Sequence, residues 1–219
     1  MGRVTGRGSS SALRRALFPG GFAGEVMILI SELWPVFNMH HEVRLEERIT
    51  ALFHDALVDA YSQRNWPWFI MTEVPITDPT FGTQTGRNDL RFYHRDTPGQ
   101  SMFFVVECKR LHVRTQSGFR HLADEYVDEG LARFAGGKYA GKQPCASMVA
   151  YVMDNDVEAA LNRVRAEITN KSRELGIKVK PLFKQPSTLL ANNHHSGETI
   201  HQRENGGIVV HHLLLGVVR

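Results

Sequence analysis

From His41 to Tyr61 the apolar positions Leu45, Ile49, Leu52, Phe53, Ala56, Leu57 and Ala60 recur at helical spacing, which predicts an amphipathic helix. Trp66-Pro67-Trp68 ends it. The pattern then changes to short β-like runs: Phe69 to Ile76, Arg87 to His94 and Met102 to Leu111. The connections are Thr77 to Gly86, with Asp78-Pro79, and the turn Arg95 to Gln100. A second helix is expected from about Gly118 to Phe134, stopping at Gly136-Gly137. Met148 to Met153 reads as a fourth strand. Asp156 to Leu175 reads as a third helix with Val157, Leu161, Val164 and Ile168 on one face and Gly176 as its cap. Ile177 to Leu182 and Ile208 to Val218 are expected as short final strands, with a polar, loop-rich stretch from Lys184 to Gly207 between them. The runs Phe103 to Val106 and Met148 to Val152 look like central strands buried on both faces. A meander followed by strand–helix alternation predicts an α/β fold, a mixed central β-sheet flanked by helices.

The first 40 residues break this regularity. Met1 to Gly24 is rich in Gly, Ser and Arg, and the apolar run Val26 to Ile30 is interrupted by Glu32 and Pro35. Residues 1–40 are therefore expected to be a poorly ordered arm or a non-native extension, with Met27 or Met39 as alternative starts, and residues 41–219 to be the folded domain. A basic start before an apolar run resembles a signal peptide, but the run is very short and no small-x-small pattern follows.

Composition narrows the classes. The 219 residues are 42% hydrophobic, enough to build a core. A formal charge of +3 with a pI near 9.0 is compatible with nucleic acid but mildly so. Two Cys make no disulfide framework, so a reducing, cytoplasmic location is expected. No apolar run reaches the roughly 18–20 residues of a membrane span.

The chemistry concentrates in Gly86-Arg87-Asn88-Asp89-Leu90-Arg91-Phe92 and Phe103-Phe104-Val105-Val106-Glu107-Cys108-Lys109. Charges inside a sheet are expensive unless paired or bound to a metal. Alternation puts Glu107 and Lys109 on one side and Cys108 on the other. If the two runs pair as a hairpin, Asp89, Glu107 and Lys109 converge, a set suited to a hard cation and a water held against a phosphodiester. The bland alternative is a Glu107–Lys109 pair on an exposed strand.

These residues resemble the PD-(D/E)XK nuclease superfamily, the restriction-endonuclease-like fold. The likeness covers roughly residues 41–153, with Asn88 where the pattern has Pro. The later segments Tyr126 to Tyr139, Met148 to Met153, His201-x-Arg203 and His212 to Leu215 resemble nuclease-like proteins near bacterial defence genes. The resemblance implies a metal-dependent nuclease acting on DNA, in bacterial defence or restriction. It implies Mg²⁺ or Mn²⁺ on Asp89, Glu107 and the Cys108 carbonyl, with Lys109 orienting a water. It also implies a Glu from the first helix, for which Glu42, Glu46 and Glu47 compete. Glu46 lies at the edge of the buried stripe, although acids at a helix start also simply stabilise the dipole. The following helix brings Tyr126, Arg133 and Lys138 as substrate-binding candidates; core packing of Tyr126 and solvated charge at the other two are the alternatives. The expected partner is nucleic acid, with a homodimer or a defence-system protein as further associations and no membrane. The competing classes are a catalytically inactive nucleic-acid-binding or assembly subunit and a small globular protein with structural charges.

The pairs His40-His41, His194-His195 and His211-His212 raise zinc, but adjacent strand residues point to opposite faces and no Cys-x-x-Cys or His-Glu-x-x-His accompanies them.

Overall fold

A computed structural model describes residues 21–38, 45–64, 66–77, 80–94, 102–116, 118–204 and 206–218. The expected turn at Arg95 to Gln100, the Asp78-Pro79 step, the pair His40-His41 and Glu42 lie outside these residues.

The chain folds as α1 (Phe22–Asn38), α2 (Glu46–Arg64), β1 (Trp68–Thr77), β2 (Gln84–His94), β3 (Phe103–Leu111), β4 (Val113–Thr115) and β5 (Gly118–Arg120). A helical run over 123–135 follows, with α3 (Ala123–Glu125), a π-helical stretch (Tyr126–Leu131) and α4 (Ala132–Ala135). Then come β6 (Cys145–Val152), α5 (Val157–Asn170), β7 (Ser196–His201) and β8 (Ile208–Gly216). Six strands form a mixed sheet in the order β1-β2-β3-β6-β8-β7. The β1, β2 and β3 meander is antiparallel, β3, β6 and β8 run parallel, and β7 returns antiparallel on β8.

Helices cover both faces. Even-numbered side chains of β2 and β3, among them Leu90, Phe92, Phe104, Val106 and Cys108, pack with α1 and α2. Val105 and Leu111 of β3 face the other way, onto the 123–135 run and α5. Every residue of β6 is buried, as expected for a strand sandwiched between two layers. Among the described residues, no helix is long and apolar enough to cross a membrane.

The expected N-terminal arm is corrected from Phe22 onward. Phe22, Val26, Met27, Leu29, Ile30, Trp34 and Phe37 recur at helical spacing and are buried, while Glu32 and Pro35 fall on the exposed side. Pro35 sits late enough that the helix continues three residues beyond it. The Trp34 ring stacks on Tyr151 at 5.2 Å, and Trp34 Nε1 and Asn38 Nδ2 both donate to the Gly216 carbonyl, at 2.8 and 3.0 Å. The helix is thus integral to the core.

Three other boundaries move. Gly118–Arg120 is not helical but pairs with Val113–Thr115 as a two-stranded ribbon. Ile177 to Leu182 contributes only an isolated bridge, Ile177 with His201. The missing strand is β7, inside the stretch expected to be loop. Its inward side chains are polar and satisfied internally: Glu198 accepts from the Thr188 backbone N–H at 2.8 Å, and Thr199 Oγ1 lies 2.7 Å from His201 Nε2 and 3.0 Å from His212 Nε2. A strand that buries hydrogen-bonded polar groups carries no alternating apolar signal.

Candidate functional site

The site lies where β2 and β3 part. Their pairing runs from Tyr93 with Phe103 to Leu90 with Val106. One step further Asp89 would face Glu107, and opposed residues share a face. Instead of continuing the ladder, the Cys108 backbone N–H donates to Asp89 Oδ2 at 2.7 Å. The carboxylate therefore fills the fork between the strands and is held there by a charge-assisted bond. Asn88, fully buried beside it, accepts from Arg91 Nε at 3.0 Å.

Lys109 projects between two acids: its Nζ lies 3.3 Å from Glu107 Oε1 and 3.4 Å from Glu46 Oε1. Glu46 is the first residue of α2, and its other oxygen accepts from the Arg110 N–H at 2.7 Å. Arg133, from the helical run, donates to Glu107 Oε1 at 3.3 Å and to the Tyr139 hydroxyl at 2.7 Å. Four elements thus bring Glu46, Asp89, Glu107, Lys109 and Arg133 together.

The helical run comes close enough because of Gly130. A Cβ there would stand 2.4 Å from Met148 Cε and 3.7 Å from Lys109 Cγ. The π-helical stretch that contains this glycine near its C-terminal end is the kind of local widening that recurs at functional positions.

The electrostatics are unbalanced. Three carboxylates face Lys109 and Arg133, leaving one excess negative charge when all are ionised. Burial and the Asp89 charge push Glu107 up to about 8. Burial also raises Asp89, against the lowering effect of the Cys108 N–H. Burial acts to lower Lys109, but Glu107, Glu46 and Asp89 outweigh it and hold the ammonium charged well above its ordinary range.

A divalent cation is tested by the oxygens present. Glu107 Oε2 is buried and has no hydrogen-bond partner among the described residues. An orphaned, desolvated carboxylate oxygen is costly unless something positive meets it. Among the described residues no three His, Cys, Asp or Glu side chains stand together as an ion cage. Mg²⁺, however, commonly takes one or two carboxylates and keeps its waters. Asp89 and Glu107 fit that demand. Because the Cys108 N–H turns toward the fork, its carbonyl turns toward the same edge, as in any extended strand.

The remaining candidates divide. Lys138 is exposed and leans over β2, where a Cβ on Gly86 would meet its Cε at 3.3 Å. Tyr126 is corrected as a substrate contact: it is wholly buried, 2.8 Å from His212 Nδ1. Its helical position faces the sheet. The Cys108 side chain is buried on the opposite face, where the Tyr151 hydroxyl donates to its sulfur at 3.4 Å, and burial raises the thiol far above its ordinary range. His211 and His212 are internal polar groups; His211 Nδ1 lies 2.8 Å from Ser187 Oγ. His195 lies on the surface, 3.6 Å from Glu158.

Glu73 was not legible as a site neighbour. The pairs Thr72 with Leu90 and Val74 with Asn88 bracket it opposite Asp89. Its φ of 50° is a left-handed conformation that non-glycine residues seldom adopt. It pairs with Arg87 at 2.5 Å, and its charge adds to the upward pressure on Asp89. Within the alternating run Thr72-Glu73-Val74 nothing distinguishes it from an ordinary exposed strand residue. Comparison with known proteins gave no matching family model, no matching curated protein and no matching solved structure.

Proposed function

We propose that the protein is a divalent-metal-dependent nuclease of the PD-(D/E)XK type, with a restriction-endonuclease-like fold, hydrolysing DNA phosphodiester bonds. The observation that carries this reading is the fork between β2 and β3, where Asp89 and Glu107 meet, Glu107 Oε2 is orphaned, and Lys109 is clamped between Glu107 and Glu46. The order of helix, three-stranded meander, helix and parallel strand supports it.

Asp89, Glu107 and the Cys108 carbonyl would hold Mg²⁺ or Mn²⁺, which supplies Lewis acidity toward water and the phosphoryl oxygens. Lys109, kept charged by its acidic neighbours, is unsuited to act as a base; it orients the attacking water and offsets charge growing on the phosphate. Glu46 fixes the position of that ammonium and, through the Arg110 N–H, the end of the strand that carries it. Water attacks phosphorus in line and releases a proton to solvent, the bond to the leaving oxygen breaks, and that oxygen takes up a proton from solvent. Arg133 and Lys138 flank the fork as phosphate contacts.

A second reading is a catalytically inactive subunit that binds nucleic acid. It is favoured by one feature: Lys109 and Arg133 already sit on Glu107 Oε1 and partly neutralise it. Incubation with supercoiled, linear and single-stranded DNA separates the two. The nuclease nicks or cuts with Mg²⁺ or Mn²⁺, is stopped by EDTA and turns over poorly with Ca²⁺. Salt-sensitive binding without cleavage supports the second reading, and cleavage at equal rate in EDTA overturns the metal mechanism.

A further inference from the structure

On the face that carries Asp89 and Glu107, the 123–135 run and α5 cover β3, β6 and β8, and β2 gives no side chain to that cluster. The layer reaches the β1–β2 end of the same face only through Ile76 of β1 and through Phe103, both partly buried at its margin. Alternation from Asp89 brings Arg91 and Tyr93 onto it, and register brings Met71, Phe69 and Phe103 beside them. Met71 is 42% exposed, Phe69, Arg91 and Phe103 are partly exposed, and Tyr93 between them is buried.

These side chains form one ordered strip. Phe69 stacks on Tyr93 at 5.1 Å and 18°, and Tyr93 meets Phe103 at 5.9 Å. The Arg91 guanidinium lies 4.5 Å from the Phe103 ring centroid and donates to the Tyr93 hydroxyl at 3.1 Å. Its Nε bond to Asn88 ties it to the strand position next to Asp89. The three-ring row crosses the sheet about 13 Å along β2 from Asp89 at strand rise.

We propose that this strip is a stacking platform for unpaired bases of the strand whose phosphate lies at Asp89 and Glu107, so that single-stranded or locally melted nucleic acid is the preferred substrate. The proposal rests on the nuclease reading for the position of the phosphate. The partly exposed Phe69 and Phe103 rings and the Arg91 guanidinium, backed by buried Tyr93, offer flat, weakly hydrated faces to any base, and the cation adds attraction to strand and ring alike. An intact duplex keeps its base faces stacked inside and presents only edges and phosphates. The platform therefore discriminates by strandedness and not by sequence.

The test measures binding in EDTA, where no turnover intervenes. The probes are a short single strand carrying 2-aminopurine and its duplex. Wild type is compared with Phe69→Leu and Phe103→Leu, which keep apolar bulk, and with Met71→Glu, which puts a charge on the exposed strip without touching the core. The single strand is expected to bind at least tenfold tighter than the duplex, with quenched 2-aminopurine fluorescence. Loss of one stacked base corresponds to about fivefold to a hundredfold weaker binding, so each variant is expected to lose affinity in that range for the single strand and little for the duplex. Unchanged single-strand affinity in all three variants, or equal affinity of wild type for both probes, overturns the platform. If the wild type cuts in Mg²⁺ while the variants bind and cut single strands like it, the platform fails and the nuclease reading stands. If nothing is cut but quenching still depends on Phe103, the nuclease reading fails and the platform stands.

Discussion

Replacing Glu107 with glutamine should raise the melting temperature of the metal-free protein at alkaline pH. Glu107 has a side chain 2% exposed, and burial with the Asp89 charge lifts it to about 8 from an ordinary 4.5. A group whose folded pKa is raised contributes stability that is full below the unfolded value and lost as pH rises through the folded one. The loss therefore runs from about pH 4.5 to pH 8. At about 1.4 kcal/mol per pK unit, it is on the order of 5 kcal/mol, or roughly 10–20 °C for a chain of this size. The glutamine amide has no proton to lose in this range, so the slope disappears. Lys109 loses one acid but keeps Glu46, 3.4 Å away. Melts of both proteins in EDTA at pH 5.5, 7 and 8.5 read the effect. The gap should favour the variant increasingly as pH rises, because other titrating groups cancel in the comparison. Mg²⁺ at pH 8.5 should then stabilise the wild type and leave the variant unmoved. A variant that melts below wild type at pH 8.5 in EDTA, or a gap constant across pH, refutes the reasoning.

Other outcomes follow from the same structure. Trp34→Ala removes a ring stacked on Tyr151 and bonded to Gly216; a loss of about 3–5 kcal/mol is expected in urea unfolding. A chain beginning at Met39 should be unfolded by circular dichroism, and a melt within two or three degrees of the full chain would show that α1 is dispensable. His201 and His211 are pushed down to about 4 by burial. Their folded pKa values lie below the unfolded one, so the stability they give is present above about pH 6.5 and lost as pH falls toward 4; in Glu107→Gln, where the opposing titration of Glu107 is absent, urea midpoints at pH 7, 5.5 and 4.5 should drop accordingly, and a flat profile contradicts this. Gly130→Ala forces the Met148 thioether to shift where the helical run meets the sheet beside the Lys109 stem; a fall in cleavage rate with little change in DNA affinity is expected from single-turnover kinetics.

The meander and the site were legible because their signals are local. Asp89 and the Glu107-Cys108-Lys109 triplet sit on runs whose alternation fixes their faces, and the helical stripe of α2 points Glu46 toward the buried side. The α1 helix was missed because Glu32 and Pro35 interrupt its apolar run, although both fall on its exposed side. The β7 strand was missed because Glu198, Thr199 and His201 are inward polar groups whose partners, Thr188, His212 and the Leu175 carbonyl, come from distant sequence. Glu73 needed the register of β1 on β2. The Phe69–Tyr93–Phe103 row needed three strands in register, which no single periodic window contains.

The most direct measurement is the rate of DNA cleavage in Mg²⁺ by wild type, Asp89→Asn and Glu107→Gln, each verified as folded by its melt, with EDTA as control. A nuclease site in the fork between β2 and β3 predicts cleavage by the wild type alone, abolished by EDTA and by either substitution, since each removes one of the two carboxylates. Wild-type rates in Glu107→Gln, undiminished cleavage in EDTA, or no cleavage of any DNA by folded wild type would contradict it.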